Sequence, residues 1–183
     1  MSNLTLEAPI PAADQINGGH TPCPTNLLTR KYGLPIGTLP KDCGKQPTSK
    51  FWSSRMVTES VGPFRATGHR LAVALLRESL AAVKAERPDL YAALGSAGML
   101  CVRHVRGHPG VPSNHCYGLA IDFTLEGKLD DYGDGMTQKG LLDLYGIFKR
   151  FGWFWGAEFG KEDSMHFEVS AEVVMDWIRR GIF

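Results

Sequence analysis

Between Pro63 and Leu94 apolar residues recur every three or four positions, with Leu71, Leu75, Leu76, Leu80 and Val83 on one face and Arg70, Arg77, Glu78 and Lys84 between them. This period predicts an amphipathic helix that starts near Pro63, which suits a first helical turn, and closes or kinks at Arg87-Pro88. Leu141, Leu144, Tyr145 and Phe148 repeat the pattern, predicting a helix from a Thr137 cap to Arg150, and a last helix spans 171–180. Apolar runs predict strands at 99–105, at 118–125 around Ala120, Ile121 and Phe123, and at His166–Val169. The stretches 126–135 and 160–163 read as loops, and an aromatic segment, 151–159, precedes the second. Strands and helices do not alternate as β-α-β units, so the pattern predicts an α+β domain, a small antiparallel sheet with flanking helices.

Residues 1–62 are rich in Pro, Gly, Thr and Ser, with clusters such as Gly18-Gly19 and Pro22-Cys23-Pro24. They predict a mostly irregular N-terminal extension with one short helix at Thr25–Tyr32, leaving 63–183 as the single domain that 183 residues allow. Hydrophobic content of 43% and charged content of 21% are ordinary globular values. A formal net charge of +1 gives no electrostatic footprint for nucleic acid or an anionic membrane, and the expectation is a monomer that reads a small substrate by shape. No window approaches the ~18 apolar residues of a membrane span. The first residues lack a basic region and an apolar run, so the expectation is synthesis in the cytoplasm without a signal peptide. Reduced thiols are then the default for Cys23, Cys43, Cys101 and Cys116, with a Cys23–Cys43 bridge as the alternative. No C-x-x-C pair exists for a four-sulfur metal site, and Cys116 reads as a buried apolar thiol.

Three features carry chemistry. Asp122 lies inside an apolar strand, where a lone carboxylate would be heavily desolvated unless a cation, a metal or several donors met it. His115 and Asp122 have opposite parity, so one uninterrupted strand would send them to opposite faces. Gly118 resolves this if His115 sits on a turn before the strand. In Asp163-Ser164-Met165-His166-Phe167-Glu168, His166 offers a second imidazole and Asp163 a carboxylate from the adjoining loop. Two imidazoles and a carboxylate make a three-ligand set with one open position, and a separate carboxylate supplies a general base. Arg103, just before the loop to His115, could hold a substrate carboxylate or a developing oxyanion, with Arg106 as its rival.

The run Ser113-Asn114-His115-Cys116-Tyr117-Gly118-Leu119-Ala120-Ile121-Asp122 resembles the S-x-H-x-x-G-x-A-x-D signature of the M15 peptidases, the D-alanyl-D-alanine carboxypeptidase and L-alanyl-D-glutamate endopeptidase family. The segment 163–168 resembles the family's second motif, and Gly152-Trp153-Phe154-Trp155-Gly156 the aromatic-glycine run before it. Arg103-His104-Val105-Arg106-Gly107 is similar to the arginine-containing strand of VanY-like members. The resemblance implies the zinc fold that Hedgehog proteins share with D,D-peptidases, zinc on His115, Asp122 and His166, Asp163 as catalytic acid/base and Arg103 as transition-state arginine. It also implies peptidoglycan peptides as substrate. An aspartate acid/base is common in the phage L-alanyl-D-glutamate endopeptidases, so the expected activity is endolysin-like, acting on the wall after release from the cell. The alternatives are a D-alanyl-D-alanine carboxypeptidase and a non-catalytic zinc module that binds cell wall or a protein.

Several residues carry blander readings. His20 and His69 read as structural or exposed, while His104 and His108 flank the site as candidate substrate contacts. Glu168 reads either as the partner of a ligand imidazole or as half of a surface ion pair. Trp153 and Trp155 read as core or cleft wall, and Asp130, Asp131 and Asp134 as a solvated loop without the spacing of a calcium hand.

Overall fold

A computed structural model describes residues 3–23 and 25–183; the irregular course expected at Pro24 and the leader reading at Met1 and Ser2 lie outside the described residues. In chain order the elements are β1 (Glu7–Pro9), α1 (Thr25–Tyr32), α2 (Lys50–Ser53), β2 (Met56–Ser60), β3 (Arg65–His69), α3 (Arg70–Glu86), α4 (Pro88–Ala93), β4 (Leu94–Gly98), β5 (His104–Val105), β6 (His108–Pro112), β7 (Ala120–Leu125), β8 (Met136–Gln138), α5 (Lys139–Phe148), β9 (Trp153–Trp155), β10 (His166–Val169) and α6 (Ala171–Arg179).

The architecture is α+β, with a four-stranded antiparallel sheet in the order β4-β7-β10-β9 and smaller two-stranded pairs around it. Ile121, Phe123 and Leu125 of β7 point into the core, while Asp122 and Thr124 between them are only half-buried, as the two-residue period of a strand requires. Phe123 packs edge-on against Phe148 and Phe167 at ring separations of 5.4 and 5.5 Å, which joins the sheet to α5. α3 buries Val73, Leu76, Leu80 and Val83, and its buried Ser79 accepts a hydrogen bond from the Trp153 indole at 2.9 Å.

Four local expectations are corrected. Helix α3 begins at Arg70, because 56–69 folds as the β2-β3 hairpin with Met56 opposite His69 and Ser60 opposite Arg65. Gly62, at a φ of 116° that L side chains rarely adopt, turns that hairpin, so Pro63 serves a turn. Of the strand expected at 99–105 only His104–Val105 is extended, as β5; the sheet strand lies earlier, in β4, where a Cβ on Gly95 would stand 2.5 Å from the Thr124 hydroxyl. Thr137 does not cap α5; it is buried in β8, which pairs with β1, and Gln138 takes the cap position. Finally, Cys43 bonds to Cys101 across 58 residues, so neither four free thiols nor a Cys23–Cys43 bridge is present; Cys23 and Cys116 are the buried free thiols. Closing a loop of that length removes entropy from the unfolded chain worth about 4 kcal/mol.

The N-terminal segment that precedes β3 is pinned at several points. Leu4, Ile16, Cys23, Leu28, Trp52 and Val61 belong to the same hydrophobic core as the sheet. Fully burying a large apolar side chain such as Leu28 stabilises by roughly 1.5–3 kcal/mol. Trp52, completely buried against Tyr117, also donates its indole N–H to the Gly33 carbonyl at 2.8 Å. Asn17 covers the outer edge of β9 as a neighbouring strand would: its Oδ1 accepts from the Trp155 N–H at 2.8 Å and its Nδ2 donates to the Trp155 carbonyl at 3.0 Å. An exposed strand edge is thereby closed by one side chain.

Candidate metal centre

Three local devices assemble the site. Residues 114–117 form a short 3-10 turn, which places His115 before β7 and outside its alternation. The turn ends at Gly118, whose φ of 63° is left-handed and where a Cβ would lie 2.5 Å from the His69 nitrogen and 2.7 Å from the Gly68 Cα. Only glycine meets both demands. Asp122 and His166 are direct cross-strand partners between β7 and β10.

The result is a tight triangle. His115 Nε2 stands 3.2 Å from Asp122 Oδ1 and 3.1 Å from His166 Nδ1, and His166 Nδ1 stands 3.0 Å from the same carboxylate oxygen. The second nitrogen of each ring is spoken for. His115 Nδ1 meets the Met99 carbonyl at 2.9 Å, and His166 Nε2 meets Glu168 Oε2 at 3.0 Å. Donation to those acceptors leaves the lone pairs of His115 Nε2 and His166 Nδ1 directed at the triangle.

Glu168 is 1% exposed, which removes the surface ion-pair reading. Its Oε1 accepts the Cys23 backbone N–H at 2.9 Å and its Oε2 accepts from the Asn114 amide, so the N-terminal segment and the His115 turn both converge on the carboxylate behind His166. Glu168→Gln is expected to weaken metal binding about 10- to 100-fold with the fold retained, read by competition with a chromophoric chelator. Unchanged affinity would make Glu168 a purely structural anchor.

Burial opposes ionisation of Asp122, but the two imidazoles, His115 foremost, outweigh it and hold its carboxyl well below the usual carboxylate range. Burial likewise works against a charged His166, yet its contacts with Asp122 and Glu168 push it up to about 10. The triangle thus favours positive charge, and three convergent donor atoms of nitrogen and oxygen type suit a divalent metal. Among the described residues a second cluster, Glu7, Asp131 and Asp134, is exposed and offers carboxylates only.

Asp163 lies on the loop before β10. Its backbone N–H donates to the Gly156 carbonyl and its carbonyl accepts from the His166 N–H, both at 3.0 Å. Gly156 makes this approach possible, because a Cβ there would meet the Asp163 carbonyl at 2.6 Å and His166 Cβ at 3.1 Å. Trp155 supports the same loop through its indole N–H, 2.7 Å from the Ser164 carbonyl, and both Trp153 and Trp155 are buried wall. Asp163 Oδ1 is buried without a hydrogen-bond partner. Desolvation raises its pKa; His166, Asp122, His115 and Arg106 are the charges that act on it, in that order.

Arg103 runs beside the His115 turn, with its backbone N–H 3.2 Å from Cys116 Sγ and its carbonyl accepting from the Ser113 N–H at 3.3 Å. Its guanidinium donates to the His104 carbonyl at 3.0 Å and lines a cavity of about 330 Å³ with Lys41, Asp42, Cys43, His104, Arg106 and Gly107. Arg106 is the arginine whose charge reaches Asp163. His108 is exposed on β6, His20 contacts the Lys149 carbonyl, and His69 is buried among aromatic rings. Cys116 is buried, its thiol donates to the Arg103 carbonyl at 2.6 Å, and burial raises its pKa, so it is no activated nucleophile.

Sequence reasoning missed the Met99 carbonyl, Asn114 and the Cys23 backbone as supports of the ligands. Asn114 occupies a variable place inside a motif, and the other two act through main-chain atoms that carry no residue signature. No curated protein matches the chain. Residues 106–169, which include all three metal-directed side chains and Asp163, match the family model described as D-alanyl-D-alanine carboxypeptidase, and this match supports an M15-family peptidase.

Proposed function

We propose that the protein is a zinc-dependent peptidase acting on peptidoglycan stem peptides, with the bond between L-alanine and D-glutamate as its target. One observation carries hydrolysis over mere binding: a buried carboxylate oxygen of Asp163 without a partner, next to a His-Asp-His triangle. A metal that served only structure would need no spare base. Zinc on His115, Asp122 and His166 would polarise the scissile carbonyl and make water nucleophilic near neutral pH. Asp163 takes a proton from the attacking water and returns it to the leaving amine. Arg103 or Arg106 steadies the oxyanion or the substrate, and Glu168 keeps His166 in one tautomer. The aspartate at position 163 favours the endopeptidase through the family resemblance. The description of the matched family model supports the second reading, removal of a terminal D-alanine. A disulfide persists in oxidising surroundings, which agrees with action at the wall after release from the cytoplasm, as in phage lysis.

Digestion of purified wall peptides by the zinc-loaded protein, with products identified by mass spectrometry, tests this. New N-terminal D-glutamate is the expected outcome, with near-indifference to amidation of the peptide's C-terminus. Free D-alanine as main product overturns the choice of bond in favour of the carboxypeptidase. Wall binding without any cleavage would leave a zinc module.

A further inference from the structure

The cavity lined by Arg103, whose main chain bonds the His115 turn at Ser113 and Cys116, is walled on one side by the segment that the disulfide holds. Cys43 is tied to Cys101, and the His104 N–H donates to the Pro40 carbonyl at 3.1 Å, so residues 40–43 are anchored at both ends against the strand that leads to the site. The other wall is Arg103, His104, Arg106 and Gly107. The lining holds three cations, Lys41, Arg103 and Arg106, against one carboxylate, Asp42. Among the described residues none of these three cations forms a salt bridge, and the Arg103 guanidinium is held by the His104 carbonyl at 3.0 Å. A concavity of about 330 Å³ with unmatched positive charge, mostly apolar between its charged tips, fits a short side group ending in an anion. Arg103 is locked to the His115 turn through Cys116 and Ser113, and the charge of Arg106 reaches Asp163. Through the Arg103 main chain the cavity adjoins the turn that carries His115.

We infer that the disulfide-anchored segment 40–43 builds, with Arg103 and Arg106, a subsite for the free carboxylate of an acidic residue next to the bond that is cut, and that Lys41 is the selecting cation supplied by the N-terminal segment. This rests on the proposed peptidase reading. A glutamate within the stem peptide spends one carboxyl on its onward peptide bond and keeps the other, and that second carboxylate is the group the subsite reads. The guanidinium pair orients it, and Lys41 closes the cavity from the opposite wall. Because Lys41 reaches no metal-directed side chain, it acts on substrate affinity and not on the chemical step.

The test uses the full chain and two stem peptides that differ only in whether that glutamate carboxyl is free or amidated. With the zinc-loaded protein, Lys41→Met is expected to raise KM for the free acid roughly three- to fivefold, with kcat unchanged and the amide unaffected. Cys43→Ser, which frees the segment, is expected to lose the same preference. Calorimetric binding of both peptides to the Asp163→Asn chain gives a readout that does not need cleavage: the free acid should bind tighter, and Lys41→Met should erase the difference. If no peptide is cut but this binding preference appears, the peptidase reading fails and the carboxylate subsite stands. Equal binding of acid and amide by the parent chain, or an unaltered preference in Lys41→Met, overturns the subsite. Displacement of the acid by an equal concentration of inorganic phosphate would assign the cavity to phosphate and overturn it as well.

Discussion

Asp163→Asn is expected to keep the fold and the metal and to slow peptide hydrolysis by about 10²–10⁴-fold, the usual loss when a general base is removed. The substitution is a clean one here. Asp163 Oδ1 is buried and accepts no hydrogen bond, so no packing partner loses an interaction when the carboxylate becomes an amide. The loop is fixed by main-chain bonds at 3.0 Å to Gly156 and His166, which asparagine keeps. Desolvation also raises the proton affinity of Asp163, which brings the carboxylate closer to the value at which a base works well at neutral pH. Metal content by atomic spectroscopy, thermal unfolding and turnover of a stem peptide would be measured together. Turnover close to the parent's, with metal retained, would return Asp163 to a turn-forming role and revive the binding module. Loss of metal together with activity would instead make Asp163 part of the ligand set.

What the sequence disclosed was local in character. His115, Asp122 and His166 were legible because a turn glycine, a carboxylate in an apolar strand and a histidine at a strand start each leave their mark within a few residues. The structure brings the three within 4.8 Å of one another. Helix α1 and strand β10 matched their expected ranges. The misreadings fall where distant chain segments compete with local preference. Thr137 is a good helix cap by itself, but pairing of β8 with Glu7–Pro9 claims it for a strand. The helical period of 63–94 extends into a region that Gly62 and the partner strand β2 turn into a hairpin. The Cys43–Cys101 bond closes over 58 residues, a proximity that no spacing announces. Asn17 and Cys23 looked like loop residues, and their importance comes from the β9 edge and the Glu168 carboxylate that they meet.

Acid should destabilise the protein through His69, and His69→Phe should remove that sensitivity. The His69 ring is fully buried, stacked on Phe183 at 4.7 Å and set edge-on to Trp52, and neither ring nitrogen has a hydrogen-bond partner. Desolvation, with the charges of Arg70 and Arg55 added, depresses its pKa to about 3. An unfolded histidine titrates near 6.5, so below that pH the unfolded chain takes up a proton that the folded chain refuses. Stability is therefore full above about pH 6.5, falls as the pH drops, and levels off only below the folded value near 3. Between pH 6.5 and pH 4 this one ring accounts for a loss of about 3 kcal/mol. Phenylalanine fits the same aromatic slot and carries no titrating group, and no hydrogen bond is forfeited. Urea unfolding of both chains at pH 7.5 and pH 4 measures the effect as a difference, so protonation of the metal-site histidines cancels. The gap in favour of His69→Phe should widen by about 3 kcal/mol on acidification. An equal gap at both pH values would mean that His69 is protonated inside the fold, and that the aromatic cluster opens to water before the rest of the chain unfolds.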